Sequence, residues 1–201
     1  LTTPRGRIAL DTLCRVIGYS PDGSTLVYAT ETAVVLWDTT ADAVRAQFSV
    51  EQTSNWRVGN TVLIGFGATI LIYDLQTGTL RAQIQPDENE VFRGYDLSPD
   101  ESLLVTHSVY AISGASVQDG VIRFWDMAGG QRQNDLGELP ASNAYGDAVR
   151  FSPDGLGIAY VSAAQPYSVV IWDISTHQNR LVIQPQNFYS LSLVGFAENG
   201  T

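Results

Sequence analysis

Short apolar runs, each closed by a polar turn, organise this chain along most of its length. Four of them finish on an aromatic residue followed by Asp: Val34-Val35-Leu36-Trp37-Asp38, Ile70-Leu71-Ile72-Tyr73-Asp74, Val121-Ile122-Arg123-Phe124-Trp125-Asp126 and Val169-Val170-Ile171-Trp172-Asp173. Short runs rich in Val, Ile and aromatic residues, bounded by turn formers, predict strands. The terminal aromatics stand 36, 52 and 47 residues apart, so the pattern is an internal repeat long enough for about four strands per unit.

A second motif recurs in phase with the first. Tyr19-Ser20-Pro21-Asp22-Gly23, Leu97-Ser98-Pro99-Asp100-Glu101 and Phe151-Ser152-Pro153-Asp154-Gly155 each join two apolar runs. Pro presets the first turn angle, Asp bonds nearby backbone and Gly accepts a positive φ, which together predict a tight hairpin. After each aromatic-Asp pair comes another polar turn and then a short strand such as Leu80-Arg81-Ala82-Gln83-Ile84. Each unit therefore reads as strand a, turn, strand b, loop, strand c, turn, strand d.

The repeated Ser-Pro-Asp-Gly turn and terminal Trp-Asp pair resemble the WD-repeat family over nearly the whole chain. The resemblance implies an all-β fold, a β-propeller of four-stranded antiparallel blades. About four to four and a half blades are expected within a single domain over residues 1–201: blades at 13–50, 56–85, 92–136 and 147–184, and the start of another at 189–201. Two departures mark a divergent member. No Gly-His pair stands between blades, so the His–Ser/Thr–Trp hydrogen-bond relay of well-formed family members cannot be assembled here. The second unit has Arg57-Val58-Gly59-Asn60 in place of the Pro turn and Tyr73 in place of Trp. Residues 194–201 align with residues 17–24, which implies further blades from a longer chain or from an oligomer.

The net charge of −10 speaks against a nucleic-acid backbone or an anionic membrane surface as the main partner. No apolar run approaches the ~18 residues of a membrane-spanning helix. No signal-peptide pattern opens the chain, and a chain opening on Leu1 reads as trimmed, so cytoplasmic and extracytoplasmic locations are not separable. All 11 basic residues are Arg, most simply a matter of genome composition. The single cysteine, Cys14, excludes an internal disulfide and reads as a small buried hydrophobe.

Connections in an antiparallel unit alternate between its two ends. The long segments, d to a and b to c, share one end, which is expected to carry binding. The residues singled out there as partner-binding are Trp56, Glu88, Glu90, Tyr110, Tyr145, Tyr167 and Tyr189, since aromatic residues are favoured interface anchors. The run Asp87-Glu88-Asn89-Glu90 has oxygen ligands for a hard cation but not the spacing of a known loop, so it reads as a solvated acidic loop. His107 and His177 fall at opposite ends of their units, no Gly-x-Ser-x-Gly elbow occurs, and no Lys supports a phosphate loop. The expectation is a non-catalytic protein-interaction scaffold, with no cofactor and no metal, that takes a basic or neutral protein or peptide. The alternatives are a small-ligand or carbohydrate sensor, or the non-catalytic propeller of a larger enzyme or of a regulator such as those of bacteria.

Overall fold

The computed structural model describes residues 14–49, 55–111, 120–142, 149–163, 168–184 and 196. Among these the chain is all-β, with antiparallel sheets, one short 3-10 turn at Asn134–Leu136 and no α-helix. Four consecutive meanders account for the strands. The first comprises β1 (Arg15–Tyr19), β2 (Thr25–Ala29), β3 (Ala33–Asp38) and β4 (Ala43–Ser49). The second comprises β5 (Asn55–Val58), β6 (Val62–Phe66), β7 (Ile70–Asp74) and β8 (Leu80–Ile84). The third runs through β9 (Glu90–Leu97), β10 (Leu103–Tyr110), β11 (Gly120–Asp126) and β12 (Leu139–Ala141). The fourth runs through β13 (Val149–Phe151), β14 (Gly157–Ser162), β15 (Ser168–Asp173) and β16 (Gln178–Ile183). The third and fourth are linked into one sheet by a single pairing, Ala141 with Ser162.

The turns explain why such short strands hold. In each Ser-Pro-Asp turn the Ser hydroxyl donates to the Asp carboxylate two residues on and accepts the amide five residues on: Ser20 with Asp22 and Thr25, Ser98 with Asp100 and Leu103, Ser152 with Asp154 and Gly157. The Asp that closes each strand c receives the amides of the following turn. Asp38 takes Thr40 and Ala41, Asp74 takes Gln76 and Thr77, Asp126 takes Gly129 and Gln131, and Asp173 takes Ser175 and Thr176. Arg45 and Arg81, on the returning strands β4 and β8, pair with Asp38 and Asp74. These donors hold Asp38 and Asp173 down to about 2, because hydrogen bonds to a carboxylate favour its charged form.

The chain divides into two compact units, Leu1–Gln83 and Ile84–Thr201. In the first, Val27, Val34 and Leu36 pack on Leu63, Tyr73 and Leu75, and Phe48 stacks on Tyr73 at 4.2 Å. In the second, Val105, Ile122 and Phe124 pack on Phe151, Ile158, Tyr160, Val170 and Trp172, with Phe124 and Trp172 stacked at 5.5 Å. A polar tie joins that pair of meanders as well, since the Phe151 amide donates to the Asp96 carboxylate at 2.8 Å. Both cores thus lie between successive meanders of one unit, and they use alternate residues of strand c because strand side chains alternate between faces.

Three local expectations are corrected. Cys14 is exposed, since it stands before β1 and outside either core. The third repeat does not end at residue 136: a bridge between Trp125 and Arg132 and the 3-10 turn occupy that stretch, and β12 follows at Leu139–Ala141. His107 does not lie at the end of its strand but inside β10, fully buried.

Gly120 pairs with Val109 across the β10–β11 ladder and lies beside the His107 ring. A Cβ there would lie 2.5 Å from both the His107 Nε2 and the Ser108 carbonyl oxygen. Gly120→Ala should therefore cost about 1–3 kcal/mol through overpacking, read as a lower urea midpoint with unchanged slope. An unchanged midpoint would mean that β10 and β11 separate freely at this point.

Candidate functional site

Strands β9 and β10 meet with Glu90 opposite Tyr110, at the end where the chain departs towards residues 112–119. The approach to β9 is a fixed turn: the Glu90 amide donates to the Asp87 carbonyl at 3.0 Å, Asn89 takes φ 64°, and the Ala111 amide donates to the Asn89 carbonyl at 2.7 Å. The acidic run is thereby held against the tip of β10.

Arg123 of β11 is the centre of this region. Its side chain is 5% exposed and makes a two-pronged pair with Glu90, itself 1% exposed, at 2.5 and 2.9 Å. Its Nε donates to Glu138 at 2.7 Å, and Nη2 lies 3.1 Å from Asp87. Arg132 closes the ring, donating to both Asp87 oxygens at 2.8 and 2.9 Å and to Glu138 at 3.2 Å. The Arg132 guanidinium also lies 5.2 Å from the centre of the Trp125 ring, whose Nε1 donates to the Thr106 hydroxyl at 2.9 Å. Burial alone would loosen the Arg123 proton, but Glu90 and Glu138 outweigh it and hold the guanidinium charged. The hydrogen bond from Arg132 and the Arg123 charge push Asp87 below the usual carboxylate range against the opposing effect of burial.

The expected binding residues fall into different places. Glu90 was read as a surface acid; the structure gives its carboxylate to Arg123 inside the fold, because an ionised side chain can be buried only when paired. Trp56 is half-buried against the first unit's core, tilted on Phe48 and Tyr73. Glu88 is exposed in the turn, and Tyr110 is 38% exposed at the strand end. Tyr145, Tyr167 and Tyr189 lie outside the described residues. The two other acids of the run, Asp87 and Glu90, are committed to arginines, and among the described residues no group of three or more His, Cys, Asp or Glu is placed to hold a metal. The Trp125 indole N–H donates to the buried Thr106 hydroxyl across the β10–β11 pair.

His107, weighed in the sequence only as one of two separated histidines, has its imidazole fully buried in β10. Neither ring nitrogen, nor the Ser108 hydroxyl, has a hydrogen-bond partner of normal geometry among the described residues. Desolvation drives His107 down to about 4; Arg93 adds to the effect and the nearby Ser142 backbone opposes it.

No family model and no curated protein matches the chain. Solved structures do match it. A crystal structure of the eukaryotic initiation factor aligns with TM-score 0.63 at 17% identity, over 92% of this chain and 47% of that one. The likeness is one of fold alone, and this chain spans about half the length of the solved one. No helix among the described residues is long and apolar enough to cross a membrane.

Two predictions follow from the charges. Arg123→Met should destabilise by about 3–5 kcal/mol, because it leaves Glu90 buried without its counter-ion, whereas Arg123→Met with Glu90→Leu should recover most of that loss. Denaturant unfolding of the single and double variants checks this; equal losses in both would refute the pairing. The second concerns pH. His107 binds its proton less readily folded, at about 4, than its ordinary 6.5. Between those values the unfolded chain holds more protons, so stability falls as pH drops from about 6.5 to about 4, by roughly 3 kcal/mol in full. His107→Leu should flatten the stability curve over that window; an unchanged slope would assign it to other groups.

Proposed function

We propose that the chain is an arc of a divergent WD-repeat-like β-propeller. On this reading it serves as a non-catalytic protein-interaction scaffold that takes a basic or neutral peptide at its loop-bearing end. Four in-phase meanders, stacked two and two within the compact units, support the propeller reading. The observation that carries the functional reading is the rim beside Tyr110. There a buried arginine fixes the surrounding carboxylates, while Glu88 and Tyr110 stay open to solvent. Fixed polar groups beside an exposed tyrosine bind with little ordering cost, and a chain of net charge −10 attracts cationic segments. The initiation factor contributes a likeness of fold to this argument and no partner.

The test is selection of a random peptide library on the 201-residue chain, followed by titration of the selected peptides. Basic or neutral peptides should be enriched, and Tyr110→Ala and Glu88→Arg should each weaken their binding by about tenfold, or ~1.4 kcal/mol. Selected peptides that bind both variants as they bind the parent would overturn the choice of this end. A melting-point rise with a sugar library and no peptide selected would favour the carbohydrate-sensing alternative.

A further inference from the structure

Arginine recurs at one place in the repeat. Arg15 stands on β1, Arg57 on β5, Arg93 on β9 and Arg150 on β13, so the first strand of every meander carries one. Arg15, Arg57 and Arg93 are exposed and Arg150 is half-buried. Arg45, Arg81, Arg123 and Arg132 lie on later strands and turns, where they hold the carboxylates already described.

Within each unit the two first strands adjoin, and the arrangement repeats. In the first unit a Cβ added at Gly18 would lie 3.7 Å from the Val58 side chain; in the second the Phe151 amide meets Asp96 at 2.8 Å. Gly18 and Asp96 each stand two residues before the Ser of their Ser-Pro-Asp turn, so the two meeting points are equivalent. Arg57 and Arg150 sit one residue before such a point, and Arg15 and Arg93 three residues before it. The charge there is one-sided. β1, β2, β5 and β6 carry no acid. β9, β10, β13 and β14 carry Glu90 and Asp96, both buried, the first paired with Arg123 and the second bonded to the Phe151 amide. Along β9, Val91 and Arg93 are exposed and Tyr95 is half-buried, whereas Glu90, Phe92, Gly94 and Asp96 are buried.

We infer that the arginine pair on the adjoining first strands of each unit binds an acidic peptide segment of a partner protein. The planar fork of a guanidinium matches a carboxylate, and two long side chains rooted within three residues of one meeting point can serve one bound segment. A guanidinium has five donors, so an internal bond such as that from Arg150 to the Val149 carbonyl at 2.9 Å does not exhaust it. Two observations favour a peptide over a nucleic acid. Apolar groups stand exposed on the same strands, Val91 at 40% and Tyr19 at 59%, and the chain as a whole carries −10, which repels a phosphate backbone. The surface differs from the loop-bearing rim in its residues and in the sign of its charge, and it does not rest on the rim reading.

Fluorescence anisotropy of a labelled peptide of alternating Glu and Val, titrated with the 201-residue chain at low ionic strength, tests this. Binding is expected, and it should weaken as salt rises because exposed charges are screened. Arg93→Gln with Arg150→Gln, and separately Arg15→Gln with Arg57→Gln, should each remove one of two binding equivalents. All four together should weaken binding at least ~10-fold, the scale of a lost hydrogen bond to a charged group. Arg180→Gln with Gln178→Glu lowers the net charge as much as one pair does, on the exposed strand β16, and should leave binding as in the parent. Circular dichroism and a cooperative melt confirm that each variant folds. A parent chain that does not bind the peptide would overturn the inference, as would a β16 variant that loses as much as the first-strand pairs. A labelled oligothymidylate bound more tightly than the peptide, with the same arginine dependence, would overturn the choice of occupant.

Discussion

A four-stranded antiparallel sheet whose side chains are apolar on both faces cannot stand alone in water, because each face needs a neighbour to cover it. The rest of this molecule follows from that constraint. Strand c is apolar on consecutive residues, Leu36 then Trp37 and Ile171 then Trp172, so it serves two faces at once. The two cores lie between sheets and not within one. Strands of about five residues bury too little to persist singly. The Asp and Ser turns that fix their ends therefore matter as much as the apolar positions they align.

The same constraint decides where the molecule can vary. The Ser-Pro-Asp and aromatic-Asp turns are locked by repeated hydrogen bonds at one end of each meander. The connections at the other end carry no such motif and differ in length from repeat to repeat. The third meander makes the difference concrete. Its locked end holds Ser98, Asp100 and Asp126, and its free end holds the ion-paired rim with Glu88 and Tyr110.

The repeat was legible in the sequence because short apolar runs and turn chemistry are local signals. All four aromatic-Asp runs fall on observed strands, and the three Ser-Pro-Asp motifs fall on turns. β12 was not legible: Leu139-Pro140-Ala141 is three residues with a proline at its centre, so propensity argues against a strand that pairing alone creates. Glu90 was misread because its partner lies 33 residues away, and an acid in an acidic run looks solvated until that partner is placed. One signal was available. Arg123 interrupts an otherwise apolar run, and a charge at a buried strand position requires a counter-ion somewhere in the fold. His107 gave no comparable sign, since Thr106, His107 and Ser108 form a polar stretch in a strand that proves to be buried on both sides.

The rim also has a charge balance that its individual pairs conceal. Two guanidinium groups, Arg123 and Arg132, face three carboxylates, Asp87, Glu90 and Glu138, which leaves one negative charge over before Glu88 is counted. The buried pair contributes little net stability by itself, since desolvation offsets much of its attraction. Its larger effect is to fix position. With Arg123 held by Glu90, the half-exposed Glu138 and Asp87 are kept within reach of both arginines, and the excess charge is displayed at a defined place beside Tyr110. A cation approaching this end therefore meets carboxylates already oriented and already partly desolvated.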